Sequence, residues 1–273
     1  MVRVRTGKLG RVVVLTILAI LTIAPFVITI FISFKTERQF IQNPFGLSWP
    51  LNLANYSIAW GEVKKYLFNS IFVCTITCIG ALTTAVLAAY SFARFEFWLD
   101  KLLFYILMFL IMLPPIMSLV PRFLMVKRLG LLNTYGGLIL PFMSGSQVTA
   151  MFILRSFFAG IHDSIFDAAE LDGASEFQIM TKIVLPLSAP VLWTLAIMNI
   201  MTSWNNILWP LITLSSRKLY PVTVGLMFFQ GQYAVQRGPL MAGYVISSIP
   251  LVILFVCASK SFIRGLSSGA VKM

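Results

Sequence analysis

Six long apolar runs separated by shorter polar stretches set the pattern of this chain: Val12–Phe34, Ser70–Phe92, Leu102–Val120, Gly137–Phe158, Val191–Leu214 and Met241–Phe262. A bilayer's hydrocarbon core takes about 20 predominantly apolar residues to cross as a helix, and each run is near that length. Within them Lys and Arg appear only near the end of the fourth (Arg155) and the sixth (Lys260), where a long side chain reaches the interface. The pattern predicts an all-α, polytopic membrane protein with six transmembrane helices. Prolines recur inside or at the edges of the runs, at Pro25, Pro114, Pro115, Pro141, Pro210 and Pro250. Membrane helices tolerate them where neighbours satisfy the freed carbonyls, so a packed bundle is expected.

Composition sharpens this. Of 273 residues, 59% are hydrophobic and 11% charged, against about 25% charged in ordinary soluble domains. A soluble enzyme is excluded, because a globule needs surface charge that this chain lacks. The net charge of +12 does not point to nucleic acid, since its basic residues are scattered along the borders of the apolar runs. With the N-terminus inside, 11 of the 21 basic residues fall on the inner side, so charge alone leaves the orientation open. The first run follows Arg3, Arg5, Lys8 and Arg11 but exceeds a signal peptide's apolar core and lacks a small-x-small cleavage site, so it reads as an uncleaved span.

The chemistry available is sparse. His162 is the one histidine, and Cys74, Cys78 and Cys257 read as small buried hydrophobes, so no metal site is expected. All nine acids lie outside the apolar runs, which argues against a proton- or ion-coupled carrier, although carbonyl-built sodium sites escape that test. No G-x-x-x-x-G-K-[ST] loop is present, so energy for uphill transport must come from another subunit.

Five of the nine acids gather between Asp163 and Glu176, between the fourth and fifth runs. Ser164 with Asp167 resembles a capping box, and Ile165, Phe166 and Ala169 supply an apolar face. Gly173 is a stop, Ser175 with Gln178 starts a second helix, and Pro186 ends or kinks it. This helix–Gly–helix segment reads as a docking knob for a partner at the membrane surface, or as an interfacial hairpin without one.

Asp167-Ala168-Ala169, then Gly173, then Ile183-Val184-Leu185-Pro186 keeps every spacing of the pattern E-A-A, three residues, G, nine residues, I-x-L-P. It closely resembles the EAA loop of binding-protein-dependent ABC importer permeases. Asp167 departs from the usual Glu and shortens its reach by one methylene; Glu170, one turn on, is a substitute. The resemblance continues through Tyr90-Ser91-Phe92-Ala93-Arg94, Leu129-Gly130-Leu131-Leu132-Asn133-Thr134, Leu154-Arg155-Ser156-Phe157-Phe158, Trp204-Asn205-Asn206 with Trp209-Pro210, and Leu240-Met241-Ala242-Gly243. The endings Phe262-Ile263-Arg264-Gly265 and Gly269-Ala270-Val271-Lys272 join them. It points to the carbohydrate-importing, maltose-permease-like branch.

The resemblance implies the type I ABC importer permease fold in a bacterial or archaeal cytoplasmic membrane, with both termini cytoplasmic. Residues 1–11 are then a cytoplasmic tail, 12–34 the first span, 35–69 an extracytoplasmic segment, 70–262 a five-helix core with the coupling loop at 163–186, and 263–273 a second tail. It implies as partners a second homologous permease subunit, two copies of a cytoplasmic ABC ATPase, an extracytoplasmic solute-binding protein and membrane lipid. No cofactor is expected on this chain, ATP and Mg being held by the ATPase subunits. Asp167, Ala168, Ala169, Glu170, Gly173, Ile183, Leu185 and Pro186 are the expected ATPase-coupling residues, passing movement to the fourth and fifth spans, with Ala168 and Ala169 permitting close approach of partner backbones.

Substrate-pathway candidates are Trp204, Asn205, Asn206 and Trp209. The tryptophans suit either stacking on sugar faces or helix packing and an aromatic belt; the asparagines suit either solute or interhelical hydrogen bonds. A sugar or oligosaccharide is the expected solute, with glycerol-phosphate or glycerophosphodiester as the alternative. Outside the transporter class, the alternatives are a passive membrane channel and an integral-membrane enzyme; the latter needs convergent acid, base or metal groups that the sequence scarcely offers.

Overall fold

Helix occupies each of the six apolar runs, but the third is sharply bent and the fifth is interrupted. The computed structural model describes residues 3–233 and 235–270, with side chains described for 10–233 and 235–259. In chain order the helices are α1 (Arg3–Ser33), α2 (Glu37–Gln42), α3 (Ala54–Arg94), α4 (Asp100–Met112), α5 (Leu119–Arg128), α6 (Gly136–Phe158), α7 (Asp163–Leu171), α8 (Glu176–Ile179), α9 (Leu185–Leu187), α10 (Ala189–Trp204), α11 (Leu208–Thr213), α12 (Val222–Gln232) and α13 (Arg237–Ala270). Helices α1, α3, α6 and α13 are long and apolar enough to cross a membrane unbroken. The expected tails are taken up by α1 and α13 as far as the structure describes them; residues 1–2 and 271–273 of those tails lie outside the described residues.

The third and fifth spans correct the sequence reading. Leu102–Val120 is not one rod: Asp100–Met112 and Pro115–Arg128 meet at 100°. Leu113 and Pro114 are extended there (ψ 126° and 129°), the conformation imposed on a residue that precedes proline. Just before the fifth, Glu176–Leu187 and Ala189–Trp204 meet at 76°, the kink expected at Pro186. Pro186 cannot donate to the carbonyl four residues back, and Met180–Val184 widens into a π-turn. The ladder resumes at Ser188, whose hydroxyl and amide both donate to the Val184 carbonyl, at 2.6 and 3.0 Å. The run to Leu214 is interrupted again after Trp204, so Leu208–Thr213 is a separate helix.

The chain divides into two compact units, Met1–Lys65 with Gly225–Ile249 and Tyr66–Val224 with Pro250–Met273. In the first, α1 is apolar and little covered, as suits a helix against lipid. The segment after it is ordered rather than a plain connector. Thr36 and Gln39 form a capping box on α2, and Asn55 donates to the carbonyls of Ser33 and Lys35, both at 2.8 Å. Lys35 is buried, its Nζ donating to the Asn43 carbonyl at 2.5 Å, and burial pushes its ammonium pKa below the ordinary value. Glu37 pairs with Arg237, whose guanidinium also lies 4.7 Å from the Phe40 ring centroid.

The second unit is tied by buried amides. Asn69 donates to the carbonyls of Lys218 and Tyr220 and accepts from the Tyr135 hydroxyl, while Ser70 accepts from the Val222 amide. Asn133, at φ +57°, accepts from the amides of Ser215 and Ser216. Its hydrophobic core gathers Ala85, Ala89 and Tyr90 of α3, Met151, Leu154 and Phe158 of α6, and Val191 and Leu195 of α10, together with residues of the connection between α6 and α10.

Gly137 is required by packing, since a Cβ there would run into the Leu131 carbonyl. Gly137→Ala is expected to cost about 1–3 kcal/mol of stability, seen as a lower melting temperature in detergent. Gly61→Ala, where a Cβ meets nothing within 4 Å, is expected to be neutral or stabilising by up to about 1 kcal/mol.

Candidate functional site

The connection between α6 and α10 is built from both local and distant chemistry. Phe166 and Ala169 of α7, Ile179 of α8, and Met180 and Val184 of the π-turn are buried in the same core as α3, α6 and α10. Gly173 takes φ +76°, a conformation that costs glycine little, and lets the chain reverse between α7 and α8. The Ser175 hydroxyl accepts from the Gln178 amide, and the Gln178 side chain returns to the Ser175 amide, so the second capping box forms as its sequence predicts.

The first does not. The N-cap of α7 is His162, which makes no side-chain cap bond, and Ser164 lies inside the first turn. A distant contact sets this register. Arg94 of α3 donates to Asp163 Oδ1 at 2.9 Å, and its guanidinium carbon sits 3.7 Å from the Phe166 ring centroid. Tyr90, one turn earlier on α3, donates to Glu176 Oε2 at 2.6 Å. These partners are 69 and 86 residues apart in sequence, so no spacing rule reveals them.

The expected coupling residues separate into two groups. Asp167, Ala168, Glu170 and Gly173 are exposed around the turn, joined there by Leu171 (89% exposed) and Phe177 (70%). Ala169, by contrast, is buried in the chain's own core, so only Ala168 of the alanine pair is open to a partner's backbone. Ile183 and Leu185 are half-buried against that core in the bent segment before the fifth span, and Pro186 is exposed at its elbow. Leu171 and Phe177 escaped the sequence reading because apolar residues in an amphipathic helix are first assigned to the core.

The second candidate cluster is structural in large part. Trp204 and Trp209 are both buried, at 5% and 3% exposure, the arrangement of the packing alternative. Trp209 Nε1 donates to the Gly137 carbonyl at 2.9 Å. Asn206 Oδ1 accepts from the Trp209 amide and so caps α11, while Asn205 is exposed and donates to the Met201 carbonyl. Deeper in the spans, Thr84 of α3 donates to Gln147 of α6 at 2.9 Å. Asn199 of α10 donates to Ser146 at 2.6 Å, and its Oδ1 has no hydrogen-bond partner among the described residues. Arg155 is committed, donating to the Phe92 carbonyl with its guanidinium 4.3 Å from the Phe104 centroid. Among the described residues no cluster of His, Cys, Asp and Glu is arranged to hold a metal ion.

The two serines give a direct check of the helix starts. Ser175→Ala is expected to cost about 1 kcal/mol, lowering amide-exchange protection over 175–179, whereas Ser164→Ala stays within about 0.5 kcal/mol. Equal losses at both sites would contradict the observed caps.

Comparison with known proteins follows the same lines. The chain is 31% identical over 261 residues to the arabinooligosaccharides transport system permease protein of Halalkalibacterium halodurans, covering 93% of each chain. It is equally 31% identical over 261 residues to the trehalose/maltose transport system permease protein of Thermococcus litoralis, covering 94% of each. Its fold matches, with a TM-score of 0.83 at 22% identity over 96% of this chain and 98% of the other, a chain from the crystal structure of a bacterial ABC transporter involved in the import of the acidic polysaccharide alginate. Residues 81–268 match the family of binding-protein-dependent transport system inner membrane components. With helices of membrane-crossing length and that match over more than half its length, this chain is a multi-pass membrane transport subunit and belongs to the binding-protein-dependent transport system inner membrane component family.

Proposed function

We propose that the chain forms half of the translocation pathway of an ATP-driven ABC importer for a sugar or oligosaccharide. A second homologous permease subunit completes the pathway, and an extracytoplasmic solute-binding protein delivers the solute. Two copies of a cytoplasmic ATPase, which bind the ATP and Mg, dock on the α7–α8 turn. The membrane is the cytoplasmic membrane of a bacterium or archaeon. Both termini are cytoplasmic, as an even number of crossings requires once one of them is.

The observation that carries this reading is the two-sided character of the turn. One side is anchored in the bundle by Phe166, Ala169 and Ile179; the other presents Leu171 and Phe177 among Asp167, Ala168, Glu170 and Gly173. Large apolar side chains held at a polar turn gain free energy when a partner covers them. Closure of an ATPase pair on ATP then moves the turn, and the bundle follows because the turn's inner side is part of its core. The pathway opens alternately to the two faces of the membrane.

A neutral solute suits the polar groups within the spans, which are hydroxyls and amides such as Thr84, Gln147, Asn199 and Asn205. Arg155 is held by the Phe92 carbonyl and the Phe104 ring, away from any role as a phosphate receptor. The names of the two relatives, both carbohydrate systems, favour the same class.

The test is uptake and ATP hydrolysis by the whole transporter in proteoliposomes. Asp167→Lys and Leu171→Asp are expected to lower binding-protein-stimulated uptake by about tenfold or more, the effect of about 1.4 kcal/mol; unchanged uptake in both would overturn the docking assignment. The chain reconstituted alone is expected to pass no solute, whereas flux would indicate a channel. Trp209→Phe is expected to lower the melting temperature through loss of its bond to Gly137, about 1 kcal/mol, with the apparent KM for solute unchanged. For the solute class, oligosaccharides are expected to raise the melting temperature of the cognate binding protein; a shift with glycerol-phosphate alone would replace the carbohydrate reading.

A further inference from the structure

We infer that the end of α3 is part of the coupling device, with Tyr90 and Arg94 as positioning residues that make α3 move with the α7–α8 turn. This rests on the docking reading above. Tyr90 and Arg94 lie four residues apart, hence on one face of α3. They grip the two arms of the turn on either side of Gly173. Arg94 holds the start of α7 through Asp163 and covers Phe166; Tyr90 holds the start of α8 through Glu176. Tyr90 and Phe166 are both buried, and Tyr90 is further fixed by edge contacts with Phe95 and Phe158, at 5.9 and 6.5 Å between ring centroids.

The two contacts differ in strength. Asp163 is 85% exposed, so its ion pair with Arg94 is screened and contributes little by itself. The guanidinium–Phe166 stack and the short bond from the buried Tyr90 hydroxyl to a carboxylate are the firmer links. Together they oppose flexing at Gly173, because the arms cannot open without breaking one of them.

Stiffness then decides where a push on the turn goes. The covalent connection to α6 runs through the non-helical stretch 159–162, and that to α10 through the π-turn and the 76° bend at Ser188. Both are interrupted helical paths, in contrast to an unbroken helix. Helix α3 has no such joint within the second unit: residues 66–94 are continuous and free of proline, about 43 Å at 1.5 Å per residue. The second span is therefore the stiff arm of the device, and the neighbouring fourth and fifth spans, expected from sequence to carry the movement, follow through packing.

The test uses the complete transporter in proteoliposomes, reading uptake and ATP hydrolysis together. Tyr90→Phe and Glu176→Ala are each expected to keep binding-protein-stimulated ATPase activity while lowering solute moved per ATP by about fivefold or more. The double variant is expected to be no worse than either single one, and Glu176→Gln, which keeps an acceptor, to recover most of the coupling. Wild-type solute per ATP in both Tyr90→Phe and Glu176→Ala would overturn the inference, as would additive losses in the double variant. Amide exchange on the unmodified transporter gives an independent reading, with protection over 86–94 and 163–179 expected to change together when ATP is added. A change confined to 163–179 overturns the role of α3. If Asp167→Lys uncouples the transporter and the Tyr90 and Glu176 variants do not, only the role of α3 falls; if Asp167→Lys is also silent, the docking reading falls with it.

Discussion

Burial of Phe166, Ala169 and Ile179 among α3, α6 and α10 is the contact on which the coupling segment depends. Those side chains make the α7–α8 turn one end of the bundle's core instead of a loop hung between two spans. Once that side is committed, the opposite side of α7 must face outward, because residues on a helix keep a fixed angular relation. Asp167, Ala168, Glu170 and Leu171 are exposed for that reason. The turn thus has an anchored side and a free side, and a force on one is felt in the other.

The same reasoning separates structural polar groups from available ones. Inside a membrane protein a polar side chain with all its bonds made is a fastening. Asn69 and the Trp209 indole are of this kind, each joining distant segments through backbone carbonyls. Asn199 is different, its carbonyl oxygen without a partner among the described residues, beside the Ser146 hydroxyl. At the proline break the Val184 carbonyl accepts both the amide and the hydroxyl of Ser188, so the helical ladder resumes there.

Local features of the coupling segment were legible in the sequence, and its register was not. The Gly173 reversal and the Ser175–Gln178 box depend on residues within four positions of each other, and both form as their chemistry predicts. The Ser164 box obeys the same local rule and fails, because Arg94, far away in sequence, holds Asp163 and Phe166 and starts the helix earlier. Solute stacking and helix packing stayed open for Trp204 and Trp209 for a related reason. Their amphipathic chemistry suits solute or core equally, and burial is settled by which helices pack around them.

The sequence alone determined the membrane class, the six apolar crossings, the place of the coupling segment and its family resemblance. These rest on composition, hydrophobic run length and short motifs, all properties of neighbouring residues. Only the tertiary structure decided that the third run is bent by 100° and the fifth interrupted after Trp204, that Ala168 faces outward while Ala169 faces the core, and that Tyr90 and Arg94 hold both arms of the turn. Those outcomes depend on contacts between residues distant in the chain, and burial and hydrogen-bond pairing acquire definite values only when the helices are packed together.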